Sequence, residues 1–271
     1  FAFNSMENAR FTVDVNVDKR TEREVYLKHF QKCIEAGAAS VMSAYNKYQG
    51  KYCGQNKYLL TDVLKKEWDF DGFVISDFMW GTRDTVNAAN AGLDVEMCNT
   101  HYYGDNLVQA VKDGKVKEEV IDDAAIRIVR TLLAFQKAED PQEYPRKIVS
   151  CLDHIALAKL AAEKSMTLIK NEDKVLPFSK EKTKKVVVLG KLGNTENIGD
   201  HGSSRVFPHY VVTPVEGVAK LLPNAEVIYY NGEDLERAKQ IACNADAVII
   251  VAGDKHDDEG EYSAPSEEED G

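Results

Sequence analysis

Apolar positions recur at two spacings along this chain, and the two alternate. From Arg20 to Glu35, the residues Val25, Leu27, His29, Phe30, Cys33 and Ile34 fall near helical spacing, which predicts a helix. Asp18 and Thr21 stand where caps belong and Gly37 closes it. Ala39-Ser40-Val41-Met42-Ser43-Ala44-Tyr45-Asn46 then reads as a buried strand. Tyr58 to Trp68 is predicted as a helix with an apolar stripe of Leu59, Leu60, Val63, Leu64 and Trp68. Phe73 to Ser76 is the next strand, Thr85 to Ala91 a short helix, and Leu93-Asp94-Val95-Glu96-Met97 another short strand. Helices over Asn106 to Lys112 and Glu118 to Phe135 follow, the second with Val120, Ala124, Ile128 and Leu132 along one side.

Strands that alternate with helices imply a parallel sheet, because a parallel crossover needs an intervening element. Three predicted strands end in polar groups: Tyr45-Asn46, Ser76-Asp77 and Asp94 to Glu96. That recurrence fits the active face of a (β/α) barrel. Residues 136–153 are polar and contain Pro141 and Pro145, the pattern of a linker. Beyond them come a helix from Ile155 to Met166, strands at Lys185 to Gly190, Glu226 to Tyr230 and Ala247 to Ala252, and a helix from Asp234 to Cys243. This is a second α/β unit of doubly wound type. The expected organisation is therefore residues 1–135, a linker over 136–153, and residues 154–271.

Composition narrows the partners. The 271 residues are 44% hydrophobic and 29% charged, ordinary for a soluble protein, and the formal net charge of −11 disfavours nucleic acid and anionic membranes. No run approaches the ~20 apolar residues that cross a bilayer. The five cysteines, Cys33, Cys53, Cys98, Cys151 and Cys243, are scattered and odd in number. That argues against a disulfide framework or zinc site and points to a reducing compartment such as the cytoplasm.

The densest chemical signal is Phe73-Val74-Ile75-Ser76-Asp77, an apolar run that delivers a carboxylate to a strand's carboxyl end. Asp77 there can serve as nucleophile, general base or metal ligand, or it can cap the following helix. Gly190-Lys191-Leu192-Gly193 follows a strand but lacks the spacing of a nucleotide loop. Gly199 to Arg205 is a polar loop, read either as a surface turn or as a sugar- or anion-contacting segment. Asp257-Asp258-Glu259-Gly260-Glu261 is a second acidic cluster at a strand's carboxyl side, without calcium-loop spacing, and a solvated charge run is the alternative.

Taken together, Phe1 to Arg10, Met42 to Asn46, Trp68 to Asp77, Gly202-Ser203-Ser204-Arg205 and Gly260-Glu261 resemble glycoside hydrolase family 3, its β-glucosidase group. The resemblance implies the C-terminal part of a (β/α)8-type barrel followed by an incomplete α/β sandwich domain. It implies a retaining double displacement with Asp77 as nucleophile and Glu261 as general acid/base. Arg10, Met42, Tyr45 and Phe78 would line the sugar subsite, and Ser203 and Ser204 would lie on a loop that closes over it. The substrate would be a small-molecule or oligosaccharide glycoside, and no metal or organic cofactor is implied. The oligomeric state stays open. Retaining chemistry needs two carboxyl groups ~5–5.5 Å apart, one ionised and one protonated. Asp258 and Glu259 are candidates to raise the pKa of Glu261, and Arg10 to keep Asp77 ionised.

The sequence also departs from the family pattern. Phe78 stands where a Trp is usual, with Trp80 two residues on. The Lys-His pair expected before Phe1 and the earlier barrel strands are absent. Phe1 to Ser5 carries no initiator Met or signal pattern, and Ser266 to Gly271 has no closing element, so the chain reads as an inner segment of a longer enzyme, poorly soluble or inactive if expressed alone. A β-xylosidase or related exo-glycosidase is the alternative within this chemistry. Residues 151 to 271 argue against the N-acetylglucosaminidase branch. A non-catalytic sugar-binding module is the alternative outside it.

Overall fold

The computed structural model describes residues 1–137 and 144–261. The chain divides into two compact units, one on each side of residues 138–143, and each is described by itself. Part of the linker expectation, and the chain beyond Glu261, lie outside the described residues.

The first unit opens with β1 (Asp14–Val15), α1 (Lys19–Thr21), a π-helical stretch (Glu22–Tyr26) and α2 (Lys28–Glu35). The Asp18 carboxylate caps α1 by accepting from the Arg20 and Thr21 N–H groups at 2.9 and 3.0 Å. β2 (Ser40–Met42), β3 (Lys47–Tyr48), β4 (Lys51–Tyr52), a π-helix over Tyr58–Glu67 and β5 (Phe73–Ile75) follow. Then come α3 (Thr85–Ala91), α4 (Asp105–Lys112) and α5 (Glu118–Lys137). The apolar spacing predicts helices at 20–35 and 58–68, but it does not distinguish α from the wider π winding seen in parts of both.

β2 and β5 pair in parallel with Val41 opposite Val74, and Val95 extends the row by a single parallel bridge to Ile75. The strand expected over Leu93 to Met97 is thus reduced to one residue. Its cause is local: the Asp94 and Val95 N–H groups both reach the Val74 carbonyl at 3.0 Å, and the Asp94 carboxylate takes the Val74 N–H at 2.7 Å, so a regular ladder cannot propagate. A second small sheet was not foreseen. β1 pairs in parallel with β3, and β3 turns back into antiparallel β4. Gln49 and Gly50, at φ 52° and 78°, supply the two left-handed residues such a tight hairpin needs. The Asp14 carboxylate accepts the Gly50 N–H at 3.0 Å.

The core of this unit gathers Leu27, Val41, Tyr48, Leu59, Leu60, Val63, Leu64, Val74, Ala88, Ala89 and Leu93. Each large aliphatic side chain removed from water here contributes roughly 1.5–3 kcal/mol. Buried charge is also handled inside it. Lys65 pairs with Asp94 at 2.6 Å, both side chains almost fully buried. Glu22, fully buried, is met by Lys19 at 2.9 Å, Arg23 at 3.0 Å, Tyr58 at 2.5 Å and Tyr48.

The second unit contains α6 (Leu152–Ser165), β6 (Lys185–Leu189), α7 (Pro214–Leu221), β7 (Glu226–Tyr230), α8 (Leu235–Ala242), β8 (Ala247–Ile250) and α9 (His256–Glu259). α5 and α6 reach two residues into each end of the segment read as linker. The three strands are parallel in the order β7-β6-β8, with Val187 opposite both Ile228 and Val248. Val186, Val187 and Val188 are fully buried in the central strand, whereas Ile250 on the edge is 74% exposed. α7 went unrecognised in the sequence although its start carries a full capping box: Thr213 bonds the Glu216 N–H and Glu216 returns to the Thr213 N–H at 2.9 Å. Among the described residues the sheets contain three, two and three strands, which show parallel α/β units without tracing a closed barrel or a sandwich.

Candidate active site

In the first unit, the parallel row of β2, β5 and Val95 sets the carboxyl ends side by side. Asp77 leaves β5 after Ser76, and Tyr45 leaves β2. The Asp77 Oδ1 accepts the Phe78 N–H at 2.7 Å. The Tyr45 hydroxyl donates to the Phe78 carbonyl at 2.6 Å and lies beside the Asp77 carboxylate. Asp77 does not cap the next helix. That role falls to Asp84, whose Oδ1 takes the Asn87 N–H at 2.6 Å at the start of α3. The capping alternative is therefore removed.

Ser76 locks the turn from below. It is buried, its Oγ accepts the Met97 N–H at 2.9 Å, and its N–H donates to the Val95 carbonyl at 2.9 Å. Gly81 lets the chain fold back on Asp77: a Cβ there would stand 2.5 Å from the Asp77 carbonyl oxygen. Gly54 approaches Gly81 equally closely from the other side.

Burial pushes the Asp77 carboxyl above its ordinary value, while the Phe78 N–H, the Tyr45 hydroxyl and the Arg10 charge act in the opposite sense. Burial, and then the Asp77 charge, pushes the Tyr45 phenol up, so it remains a donor. Arg10 is buried, bonded to Glu7 at 3.0 Å, and its guanidinium lies 4.6 Å from the Phe11 ring centre and 5.6 Å from that of Tyr45. Phe11 meets Tyr45 at 4.9 Å and Trp80 edge-on at 5.5 Å. The structure thus brings Arg10, Tyr45, Asp77 and the Phe78 backbone into one cluster. Met42 and Phe78 present exposed side chains on the same strand ends.

The other polar strand ends have structural roles. Asp94 is committed to Lys65 and the Val74 N–H. Glu96 accepts the Tyr102 and Tyr103 N–H groups at 3.1 and 2.7 Å. Asn46 donates to the Ala2 and Lys47 carbonyls.

In the second unit the chain leaves β6 toward β7 on one side and later returns to β8 on the other. The gap between β6 and β8 is the topological switch point, where loops diverge and open a crevice. Gly190 and Gly193 serve packing there. A Cβ on Gly190 would stand 2.3 Å from the Val251 carbonyl, and one on Gly193 2.9 Å from Val188 Cγ1. The 199–205 loop follows β6, and Glu261 follows β8 and α9. The two segments meet: the Ser203 hydroxyl donates to Glu261 Oε1, and Gly202 lies between Glu261 and Asp200, a Cβ there standing 3.1 Å from Glu261 Cγ and 3.2 Å from Asp200 Oδ2. Ser204 donates to Asp200 Oδ2 at 2.8 Å rather than to Glu261. Asp258 takes the Lys255 N–H at 3.0 Å, and the side chain of Glu259 lies outside what is described. Asp200, which sequence reasoning did not single out, is an acidic residue that the fold brings near Glu261.

Among the described residues, no cluster of three or more His, Cys, Asp or Glu side chains is arranged to hold a metal ion. No described helix is long and apolar enough to cross a membrane. Cys33, Cys53, Cys98, Cys151 and Cys243 are all free thiols.

The first unit is thus an α/β unit with an acid held at a parallel strand end, and comparison with known proteins supplies the family. The family model for the glycosyl hydrolase family 3 N terminal domain matches residues 4–131, and that for the family's C-terminal domain matches residues 166–270. The chain belongs to glycosyl hydrolase family 3. It is similar to thermostable beta-glucosidase B of Acetivibrio thermocellus, 37% identical over 96% of this chain and 36% of that protein. Among solved structures it is similar to a family 3 beta-glucosidase from Bifidobacterium adolescentis, with TM-score 0.77 and 29% identity, covering 97% of this chain and 39% of that one. A beta-glucosidase from Streptomyces venezuelae, solved in complex with D-glucose, matches with TM-score 0.75 and 31% identity over 86% of this chain and 32% of its own. The chain spans about a third of the length of the curated relatives it matches.

Proposed function

We propose that this chain carries the two catalytic carboxyl groups of a β-glucosidase acting by retaining double displacement. The observation that carries the reading is the Asp77 cluster: a half-buried carboxylate at the carboxyl end of a parallel strand, oriented by the Phe78 N–H and the Tyr45 hydroxyl and flanked by the buried Arg10. The Phe78 N–H fixes one oxygen, and with the neighbouring Tyr45 hydroxyl and Arg10 charge it works against the upward push of burial, so the acid is oriented for attack. The family membership and the names of the matched relatives point to β-glucosides as substrates.

In this reading Asp77 attacks the anomeric carbon and the glycosidic C–O bond breaks, with Glu261 giving its proton to the leaving oxygen. Water then attacks the glycosyl-enzyme, its proton returning to Glu261, and the Asp77–sugar bond breaks. Arg10 and Tyr45 bind sugar hydroxyls, Met42 and Phe78 supply apolar contact, and Ser203 and Ser204 order the loop beside Glu261. Residues 1–135 supply part of a (β/α)8-type barrel, residues 154–271 part of an α/β sandwich, and residues 136–153 join them.

The test is covalent trapping. A 2-deoxy-2-fluoro-β-glucoside with a good leaving group, incubated with the full-length protein, is expected to label Asp77, as read by peptide mass spectrometry. Label on any other residue overturns the assignment.

A further inference from the structure

Among the described residues, two apolar side chains stand at positive φ, Phe3 at 73° and Met79 at 62°. A side chain in that region brings its Cβ against the backbone, and glycine alone adopts it freely. Phe3 is held there by packing: it is buried and stacked on the Tyr48 ring at 4.0 Å. Met79 has no such support, for its side chain is 52% exposed.

The turn is nonetheless built around Met79. The Trp80 N–H returns to the Phe78 carbonyl at 2.7 Å, which makes a γ-turn with Met79 at its centre, in the rare form with positive φ. The Tyr45 hydroxyl donates to the same carbonyl at 2.6 Å, and the Met79 N–H donates to the Met97 carbonyl at 3.0 Å. Met97 is fixed in its turn, because its own N–H donates to the buried Ser76 Oγ at 2.9 Å. Beyond the turn, Trp80 lies edge-on against Phe11 at 5.5 Å, and Gly81 closes on the Asp77 backbone. The chain thus uses glycine where it must approach Asp77 closely, yet carries a long apolar side chain at the one position of residues 76–81 whose φ is positive.

Strain kept at an exposed position beside a reactive acid calls for a use of the side chain itself. The neighbours divide the work. Arg10 and Tyr45 are the polar groups suited to sugar hydroxyls, and they are buried and half-buried, respectively. Phe78 and Met79 are apolar and exposed. A β-glucosidase encloses one sugar ring and releases what is attached to it, so the leaving group is the part of the substrate that reaches the exposed rim.

Resting on the reading of Asp77 as nucleophile, we propose that Met79 is a specificity-determining residue: the γ-turn holds its side chain at the exposed rim beside Asp77, where it receives alkyl or aryl leaving groups. A thioether on three rotatable bonds adapts its shape, which suits apolar groups of varied outline rather than one fixed partner. The strained turn is the stability cost of keeping that side chain in place.

The experiment compares Met79→Ala, Met79→Gly and Met79→Leu in the full-length protein. Its readout is the ratio of kcat/KM for hexyl β-glucoside to that for methyl β-glucoside, two substrates with the same sugar. Loss of the apolar contact should lower that ratio roughly tenfold in Met79→Ala and Met79→Gly, and Met79→Leu should restore most of it. Thermal melts read the strain separately. Met79→Gly should melt about 2 °C above Met79→Ala, because both lack the thioether and only glycine relieves the positive φ. A ratio that does not move overturns the proposal. So does an equal fall for both substrates, which would show that Met79 shapes the nucleophile's turn instead of meeting the leaving group. A Met79→Gly protein that melts below Met79→Ala overturns it too, since the turn is then not strained. Fluoro-sugar trapping separates the two ideas. With label on Asp77 and an unmoved ratio, the role of Met79 fails by itself. With label elsewhere, the reading of Asp77 fails and the role of Met79 fails with it.

Discussion

In the first unit Asp77 leaves β5 almost at once and is held by the backbone of its own turn and by Tyr45 from the neighbouring strand end. In the second, Glu261 stands well past β8, beyond α9, and accepts the Ser203 hydroxyl of a loop that leaves the neighbouring strand. The interiors differ in the same way. The first unit buries a broad aliphatic core together with paired charges, Lys65 with Asp94 and Glu22 with its ring of donors. The second buries one apolar strand and leaves its edges open. A carboxylate that must stay ionised is best placed on a rigid strand end where fixed donors meet it.

The sharpest way to break this contrast is Asp77→Asn. Activity on aryl β-glucosides in the full-length protein should fall on the order of 10⁴-fold, about 5.5 kcal/mol of transition-state stabilisation. Stability should not fall with it. Because burial raises the Asp77 pKa, the folded state binds more protons than the unfolded state between the ordinary value of 3.8 and the raised one. The native carboxylate therefore costs stability above that window, and the cost disappears as pH falls through it. Thermal melts should show the Asn variant equal to or above wild type at neutral pH, with the difference vanishing at acidic pH. A variant that melts well below wild type at pH 7 would show Asp77 to be a structural residue.

Next in size is Lys65→Met, which leaves Asp94 buried without its cation. We expect a loss of about 3–5 kcal/mol in denaturant unfolding of the first unit. A loss near zero would mean that Asp94 simply takes up a proton.

Tyr45→Phe removes the hydroxyl that reaches Asp77 and the Phe78 carbonyl while keeping the ring on Phe11. A fall in kcat/KM of roughly 10–100-fold, with the acidic limb moving to higher pH, is expected from losing a donor to the charged acid. An unmoved limb would detach Tyr45 from the nucleophile.

The smallest effect tests the second unit. Thr213→Ala opens the α7 capping box and should cost about 1 kcal/mol in that unit's unfolding, with kcat unchanged. A larger loss, or a loss of turnover, would show that the β6–α7 loop carries the helix start into the site.

Periodicity alone located nearly every long element. The stripe of Leu59, Leu60, Val63 and Leu64, the run Val186 to Val188 and the run Phe73 to Ile75 each bury the face their spacing predicts, because burial of aliphatic side chains is what local pattern records. It could not register the β1-β3-β4 sheet, whose strands are two residues long and owe their shape to a turn at Gln49 and Gly50. It also credited Asp94 and Glu96 with the same promise as Asp77. All three are acids at strand ends, and only their partners separate them: Lys65 for Asp94, loop N–H groups for Glu96, a tyrosine hydroxyl for Asp77.

What the sequence determined by itself was the alternation of elements, the parallel sheets, the family and the residue types available at each strand end, all of them local or written in short motifs. What only the tertiary structure decided was which acid meets which donor. Asp200 and Glu261 lie on segments joined through two intervening strands, and they come together because β6 and β8 are neighbours in the sheet. Hydrogen bonding and charge act over a few ångströms of space, and no spacing along the polymer encodes that distance.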